Sequence, residues 1–256
     1  MTARADATVP LLDLPEIAHP LLIDVVPADQ PIIITIDGPA GTGKSSVARA
    51  LAKHLGLDFL DTGAMYRAAA AIALDHGIDV ADRAALVAKV ESADLHFDWR
   101  TDPPAILAWD TPLNGRIRDL DVTSIVSGVA AIAELRAHMV RKQRLIAQQH
   151  PRLVTEGRDQ GSVVFPSAAL KFYLDASPAI RARRRAAQLA QAGAPAPAIE
   201  ALEHEIIERD RSDSARADGP LICPDDAVIV DTSHLTFAEV VGRLLAESHA
   251  RIAPRS

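Results

Sequence analysis

The stretch Ile32-Ile33-Ile34-Thr35-Ile36-Asp37-Gly38-Pro39-Ala40-Gly41-Thr42-Gly43-Lys44-Ser45-Ser46 decides the fold. Its first six residues are mainly apolar and β-branched, which suits a buried strand. Gly38 to Ser45 then satisfies G-x-x-x-x-G-K-[ST] without a mismatch. Alternating apolar and basic residues continue to Leu55, and Gly56 supplies a helix C-terminus. Strand, loop and helix therefore follow in the order a phosphate-cradling loop requires. Its glycines let several N–H groups turn inward towards phosphate oxygens. The helix start adds unpaired N–H groups and the positive end of its dipole. Residues Gly38 to Ser46 would line a nucleoside triphosphate, with Lys44 reaching the β- and γ-phosphates and the Ser45 hydroxyl ligating Mg²⁺. The motif leaves open what receives the phosphate.

Composition sets the outer bounds. The chain has 256 residues, 48% of them apolar, enough for one large α/β domain with inserts. A net charge of -7 argues against bulk electrostatic binding to nucleic acid or to an acidic membrane. Cys223 is the only cysteine, so no internal disulfide forms, which fits a reducing cytoplasm. No apolar run approaches the roughly 20 residues of a membrane span. The first ten residues lack the basic start and apolar core of a secretory signal. Lysine occurs only at Lys44, Lys53, Lys89, Lys142 and Lys171, so arginine carries most of the positive charge. Its planar fork suits phosphate and base edges.

Outward from the loop, residues 1–30 carry four prolines and no sustained period, so they read as a mobile extension, with 21–26 either a short strand or a sticky apolar patch. Residues 57–60 read as a strand, and Asp61 or Thr62 as the N-cap of a helix over 64–74. A further helix covers 82–92. Residues 94–116 then alternate, with turn signals at Asp102-Pro103-Pro104 and Asn114-Gly115, and predict a small β-rich insert that moves. Helices follow over 121–129, carrying Ser127, and over 133–149, carrying Arg136. The apolar run ending at Thr155 delivers the cluster Glu156-Gly157-Arg158-Asp159-Gln160-Gly161 to a strand end, where open parallel sheets bind ligands. A strand over 170–175 and a helix opening at Ser177-Pro178 come next. That helix bears Arg181, Arg183, Arg184 and Arg185. The Gly/Ala/Pro-rich segment 192–197 reads as a hinge, and a second charged helix ends at Arg209 to Arg216. Two charged helices about a hinge suggest a lid, since phosphoryl transfer needs positive charge over the transferred group. A last strand covers 227–232 and a closing helix 236–248.

Several of these segments together resemble one family. IDGPAGTGKSSVARALAKHLGLDFLDTGAMYR, TEGRDQGSVVFP, LKFYLDASPAIRARRR and IIERDRSDSAR are similar to successive motifs of bacterial cytidylate kinase, in its long form with the 94–116 insert. The resemblance runs from about Ile32 to the C-terminal helix. It implies a P-loop nucleoside monophosphate kinase fold: a parallel five-stranded sheet flanked by helices, a mobile monophosphate-binding insert over about 62–126 and a helical lid over about 181–216. It implies transfer of phosphate from ATP to CMP or dCMP with Mg²⁺, by a cytoplasmic monomer.

By the same resemblance Arg67, Arg158 and Arg216 hold the acceptor phosphate, while Ser127, Arg136 and Asp159 read cytosine. Thr62, Arg209 and Asp213 lie near the nucleotide and its sugar. Lys44, Arg158, Arg184 and Arg185 form the catalytic set, the last two from the lid. An Asp159 carboxylate accepts from the cytosine 4-amino group, whereas uracil presents a carbonyl there. One position departs from the family pattern: Glu156 stands where aspartate is usual, one methylene longer. The competing readings are a P-loop kinase for another small acceptor, such as UMP or shikimate, and a nucleotide-dependent switch.

Overall fold

The computed structural model describes residues 29–252, apart from 192 and 194–196. The expected mobile extension, with its 21–26 segment, and most of the expected 192–197 hinge lie outside the described residues.

The first strand, β1 (Ile32–Asp37), places Ile34 and Ile36 wholly out of solvent. Burying such a side chain stabilises the fold by about 1.5–3 kcal/mol. Helix α1 (Lys44–Leu55) turns Val47, Ala48, Leu51, Ala52 and Leu55 inward, a spacing that makes one face of a helix. Gly56 ends it in the left-handed conformation at φ 64°. Strand β2 (Asp58–Asp61) leads into α2 (Thr62–Asp75), and α3 (Arg83–Ser92) follows. Of the two expected caps of α2, Asp61 takes the role, its carboxylate accepting from the Ala64 N–H at 2.9 Å. Along α2, Ala68, Ala69, Ala70, Ala71 and Ala73 are all fully buried.

The expected β-rich insert is a separate antiparallel sheet of β3 (His96–Asp98), β4 (Ala105–Ala108) and β5 (Thr111–Pro112). Its β3–β4 loop is tied to α1, because Arg49 donates from Nε to Asp102 Oδ1 at 2.8 Å and from Nη2 to the Asp102 carbonyl at 3.0 Å. Helices α4 (Leu120–Val129) and α5 (Ala133–Gln149) return the chain to β6 (Arg152–Glu156). A π-helical turn at Gln160–Val164, invisible to periodicity, precedes β7 (Leu170–Asp175). Helices α6 (Pro178–Gln191) and α7 (Ile199–Ser214) pack on each other through Ala182, Leu189 and Leu202. Strand β8 (Val228–Asp231) and α8 (Phe237–Ile252) close the chain.

Five strands form one parallel sheet in the order β2-β6-β1-β7-β8, as expected, with helices as crossovers. The phosphate-loop sequence thus leaves the central strand, with the ends of β2, β6 and β7 beside it. No helix among the described residues is long and apolar enough to cross a membrane.

Gly38 shows how tightly the loop is seated. Its φ is 144°, and a Cβ there would lie 2.0 Å from the Leu174 carbonyl oxygen of β7. Backbone cannot swing aside as a side chain can. Gly38→Ala is therefore expected to destabilise the protein by about 2–3 kcal/mol or more, read as a lower urea midpoint. Gly56→Ala is the control: φ is also positive, but the added Cβ meets nothing within 4 Å.

Candidate active site

Three carboxylates and the loop lysine meet where β1, β2 and β6 end. Asp61 and Glu156 are register partners across β2 and β6, and Ile36 is the next partner of Glu156 on β1. Lys44 is buried, its Nζ donating to the Pro39 carbonyl at 2.7 Å. Burial, helped by the nearby Arg158, pulls the Lys44 ammonium down to about 7, against the pull of Glu156 and Asp37. Glu156 moves the other way. Burial and the neighbouring Asp61 push it up to about 7, with Lys44 and Arg158 opposing. The Ser45 hydroxyl faces Asp61 Oδ2 at 3.4 Å, and Thr62 donates to the Glu156 carbonyl at 2.7 Å.

A second, cationic group faces this one. Arg158 donates from Nε to Asp213 Oδ2 at 2.9 Å, and Arg216 holds the other oxygen of the same carboxylate. Asp213 is buried between them. Arg209, one helical turn before Asp213 on α7, is half-buried, and its buried Nε has no hydrogen-bond partner. Burial and the adjacent Arg158 draw it down to about 10. Arg67 lies 3.8 Å from Asp61. Clustered arginines, two of them (Arg209 and Arg216) with an unpartnered buried Nε, hold more positive charge than Asp213 balances. A phosphate placed here would supply the missing counter-charge and accept from the open donors.

The third group is Arg136 of α5 and Asp159, which meet through Nη2 and Oδ2, both buried. The Tyr66 ring lies beneath the guanidinium, 5.7 Å from its carbon. Burial pushes the Asp159 carboxyl up, and Arg136 holds it back. Gly219 of the α7–β8 connection sits against the pair, so close that a Cβ would fall 1.8 Å from Arg136 Nη2. Ser127 is half-buried on α4, which packs against α7.

The expected residues are thus largely brought together, with two differences on α6. Arg184 reaches away from the loop, donating to the Thr232 hydroxyl at 3.1 Å and carbonyl at 2.5 Å. Arg185 is half-buried and engages no partner among the described residues. Arg181, named in the sequence without a role, is the α6 arginine that touches the phosphate loop. It donates to the Ala40 carbonyl at 3.1 Å and pairs with Asp210 of α7 at 2.7 Å. Tyr66 is a second residue that sequence reading passed over. Its signal was present: it adjoins Arg67 at the start of α2.

The oxygen donors suit Mg²⁺. That ion favours one or two carboxylates plus substrate phosphates, and the Ser45 hydroxyl beside Asp61, with Glu156 adjacent, offers hard oxygens of that kind at the loop.

Comparison with known proteins agrees with this geometry. The sequence profile described as cytidylate kinase matches residues 34–250. A cytidylate kinase of Corynebacterium efficiens is 43% identical over 222 residues, covering 87% of this chain and 96% of that protein. Those of Methylococcus capsulatus and Mycobacterium leprae are each 44% identical, over 82% and 84% of this chain and 93% and 94% of theirs. With a phosphate loop, an arginine cluster and a profile match over most of its length, the chain belongs to the cytidylate kinase family.

Proposed function

We propose that this protein transfers the γ-phosphoryl group of ATP to CMP or dCMP, yielding ADP and the nucleoside diphosphate. The observation that carries the choice of base is the buried Arg136–Asp159 pair, set apart from the phosphate-facing arginines. Asp159 is an acceptor and Arg136 a donor. Cytosine presents a donor amino group beside acceptors and can satisfy both. Uracil places a carbonyl towards Asp159, and such a mismatch costs about 1–3 kcal/mol.

The remaining roles follow from position. The loop Gly38 to Ser46, through its peptide N–H groups other than at Pro39, and the start of α1 cradle the ATP phosphates, and Lys44 turns from Pro39 towards them. Arg67, Arg158 and Arg216 hold the acceptor phosphate, with Arg209, Asp213, Thr62 and Ser127 around its sugar and base. Ser45, with Asp61 and Glu156 nearby, would hold Mg²⁺, which neutralises charge on the transferring phosphates. No covalent intermediate is required, because alignment and positive charge supply most of the rate in phosphoryl transfer. The α6–α7 hairpin, within about 181–216, acts as the lid, and the segment of about 62–126, which begins with α2 and includes the β3–β5 sheet, as the monophosphate-binding part. Arg181 steadies the phosphate loop, while Arg185, and Arg184 once released from Thr232, reach the transferred group. The protein works as a cytoplasmic monomer.

The test is ADP formation from ATP and Mg²⁺ with CMP, dCMP, UMP, AMP or shikimate. Turnover confined to CMP and dCMP is expected. Preference for UMP would overturn the base assignment, and acceptor-independent hydrolysis would favour a nucleotide switch.

A further inference from the structure

The base-reading turn is held from the strand that feeds the phosphate loop. Strand β6 stays paired with β1 until Gly157, whose N–H donates to the Ile36 carbonyl at 3.1 Å. The chain then leaves β1 for Arg158 and Asp159 and is caught again at once. The N–H of Gln160 donates to Asp37 Oδ1 at 2.9 Å, and that of Gly161 to Asp37 Oδ2 at 2.7 Å. Arg158 and Asp159 are therefore suspended between two anchors on adjacent residues of one strand. The phosphate loop begins at the next residue, Gly38.

No substrate contact in the proposed chemistry falls to Asp37, although its charge also acts on Lys44. Its side chain is buried, at 1% exposure, and a buried carboxylate is costly unless its oxygens are satisfied. Both are, by peptide N–H groups of this one turn. The turn is close-fitted as well. A Cβ on Gly161 would lie 2.8 Å from Thr35 Oγ1 and 3.3 Å from Asp37 Oδ2. On its far side Gln160 bonds to Thr155 at 3.0 Å and to Gln143 of α5 at 3.1 Å, so the turn is also tied to the helix that carries Arg136.

We propose that Asp37 is a positioning residue for acceptor choice: its carboxylate fixes the turn that presents Asp159 to the base, in register with the phosphate loop. The inference rests on the cytosine-reading role given to Asp159 above. The substitution Asp37→Asn keeps the size of the side chain but replaces one acceptor oxygen with a donor amide, so one of the two peptide N–H groups would face another donor.

The experiment measures kcat/KM for CMP and for UMP in wild type, Asp37→Asn and Gly161→Ala, each corrected for its active fraction. Gly161→Ala pushes on the turn while leaving every buried charge in place. It requires no unusual backbone, since Gly161 is not among the positive-φ glycines. The expected result is a fall of about tenfold in CMP-over-UMP preference in both variants, with KM for CMP raised and, in Gly161→Ala, KM for ATP nearly unchanged. If Asp37→Asn does not fold, the same shift in Gly161→Ala carries the test. Lower activity on both acceptors alike, with preference intact, would make Asp37 merely structural and overturn the inference. A wild type without CMP preference would instead overturn the base reading on which it rests.

Discussion

Lys44→Ala is expected to lower kcat by about 10²- to 10³-fold, the scale of removing one preorganised charge donor from a transition state. Its Nζ is buried against the Pro39 carbonyl, the one hydrogen bond it donates in the free protein. The substitution removes a cation that repels Arg158 but attracts the buried Glu156 and Asp37, so its electrostatic effects oppose one another. Thermal stability should therefore change little, and the loss should sit in turnover. Steady-state kinetics beside a melting curve decide the matter. A large drop in Tm with proportionate loss of activity would mean that Lys44 is a structural residue. Unchanged kcat would remove it from phosphoryl transfer.

Asp159→Ala should act on both stability and selectivity. Arg136 and Asp159 are each about 5% exposed, and removing one partner of such a pair leaves a buried charge uncompensated. That typically costs about 3–5 kcal/mol, which for a chain of this size corresponds to a drop in Tm on the order of 10 °C. Preference for CMP over UMP should fall by about ten- to a hundredfold, because the acceptor facing the 4-amino group is gone. Affinity for ATP should be nearly unchanged, since the phosphate loop belongs to a different strand end. Retained CMP preference would show that the base is read elsewhere. Unchanged stability would show that Arg136 finds a new partner or water.

The parts of the site that were legible in the sequence are those written contiguously. Gly38 to Ser45 declares its chemistry without reference to anything distant, and β1 and α1 flank it as expected. The insert could be read because alternation and turn residues sit together in one short segment. Contacts between distant elements could not be read in this way. Arg136 and Asp159 are 23 residues apart in sequence, and only the family resemblance linked them before the structure brought them together. Among the arginines of α6, sequence cannot say which turn faces the loop. Helical phase and the entry angle at Ser177-Pro178 decide it, and they aim Arg181 at Ala40 and Arg184 at Thr232. Asp37 closes the apolar run of β1 and carries no signal of its own in the sequence. Its role depends on a π-helical turn that has no periodic signature.

The alanine run of α2 has a consequence for how closely its neighbours can lie. Leucines would hold an adjacent element off by the length of their side chains. Alanine lets it approach the helix backbone, and gives up no side-chain rotamer freedom on burial. From Ala68 to Ala73 every residue is buried, and Ile72 is the one large side chain among them. The helix that carries Tyr66 and Arg67 is thus enclosed along this stretch, and its start is tied to β6 by the Thr62 hydroxyl on the Glu156 carbonyl at 2.7 Å. A larger residue at Ala69 or Ala70 would have to displace a neighbour, at a cost of about 1–3 kcal/mol.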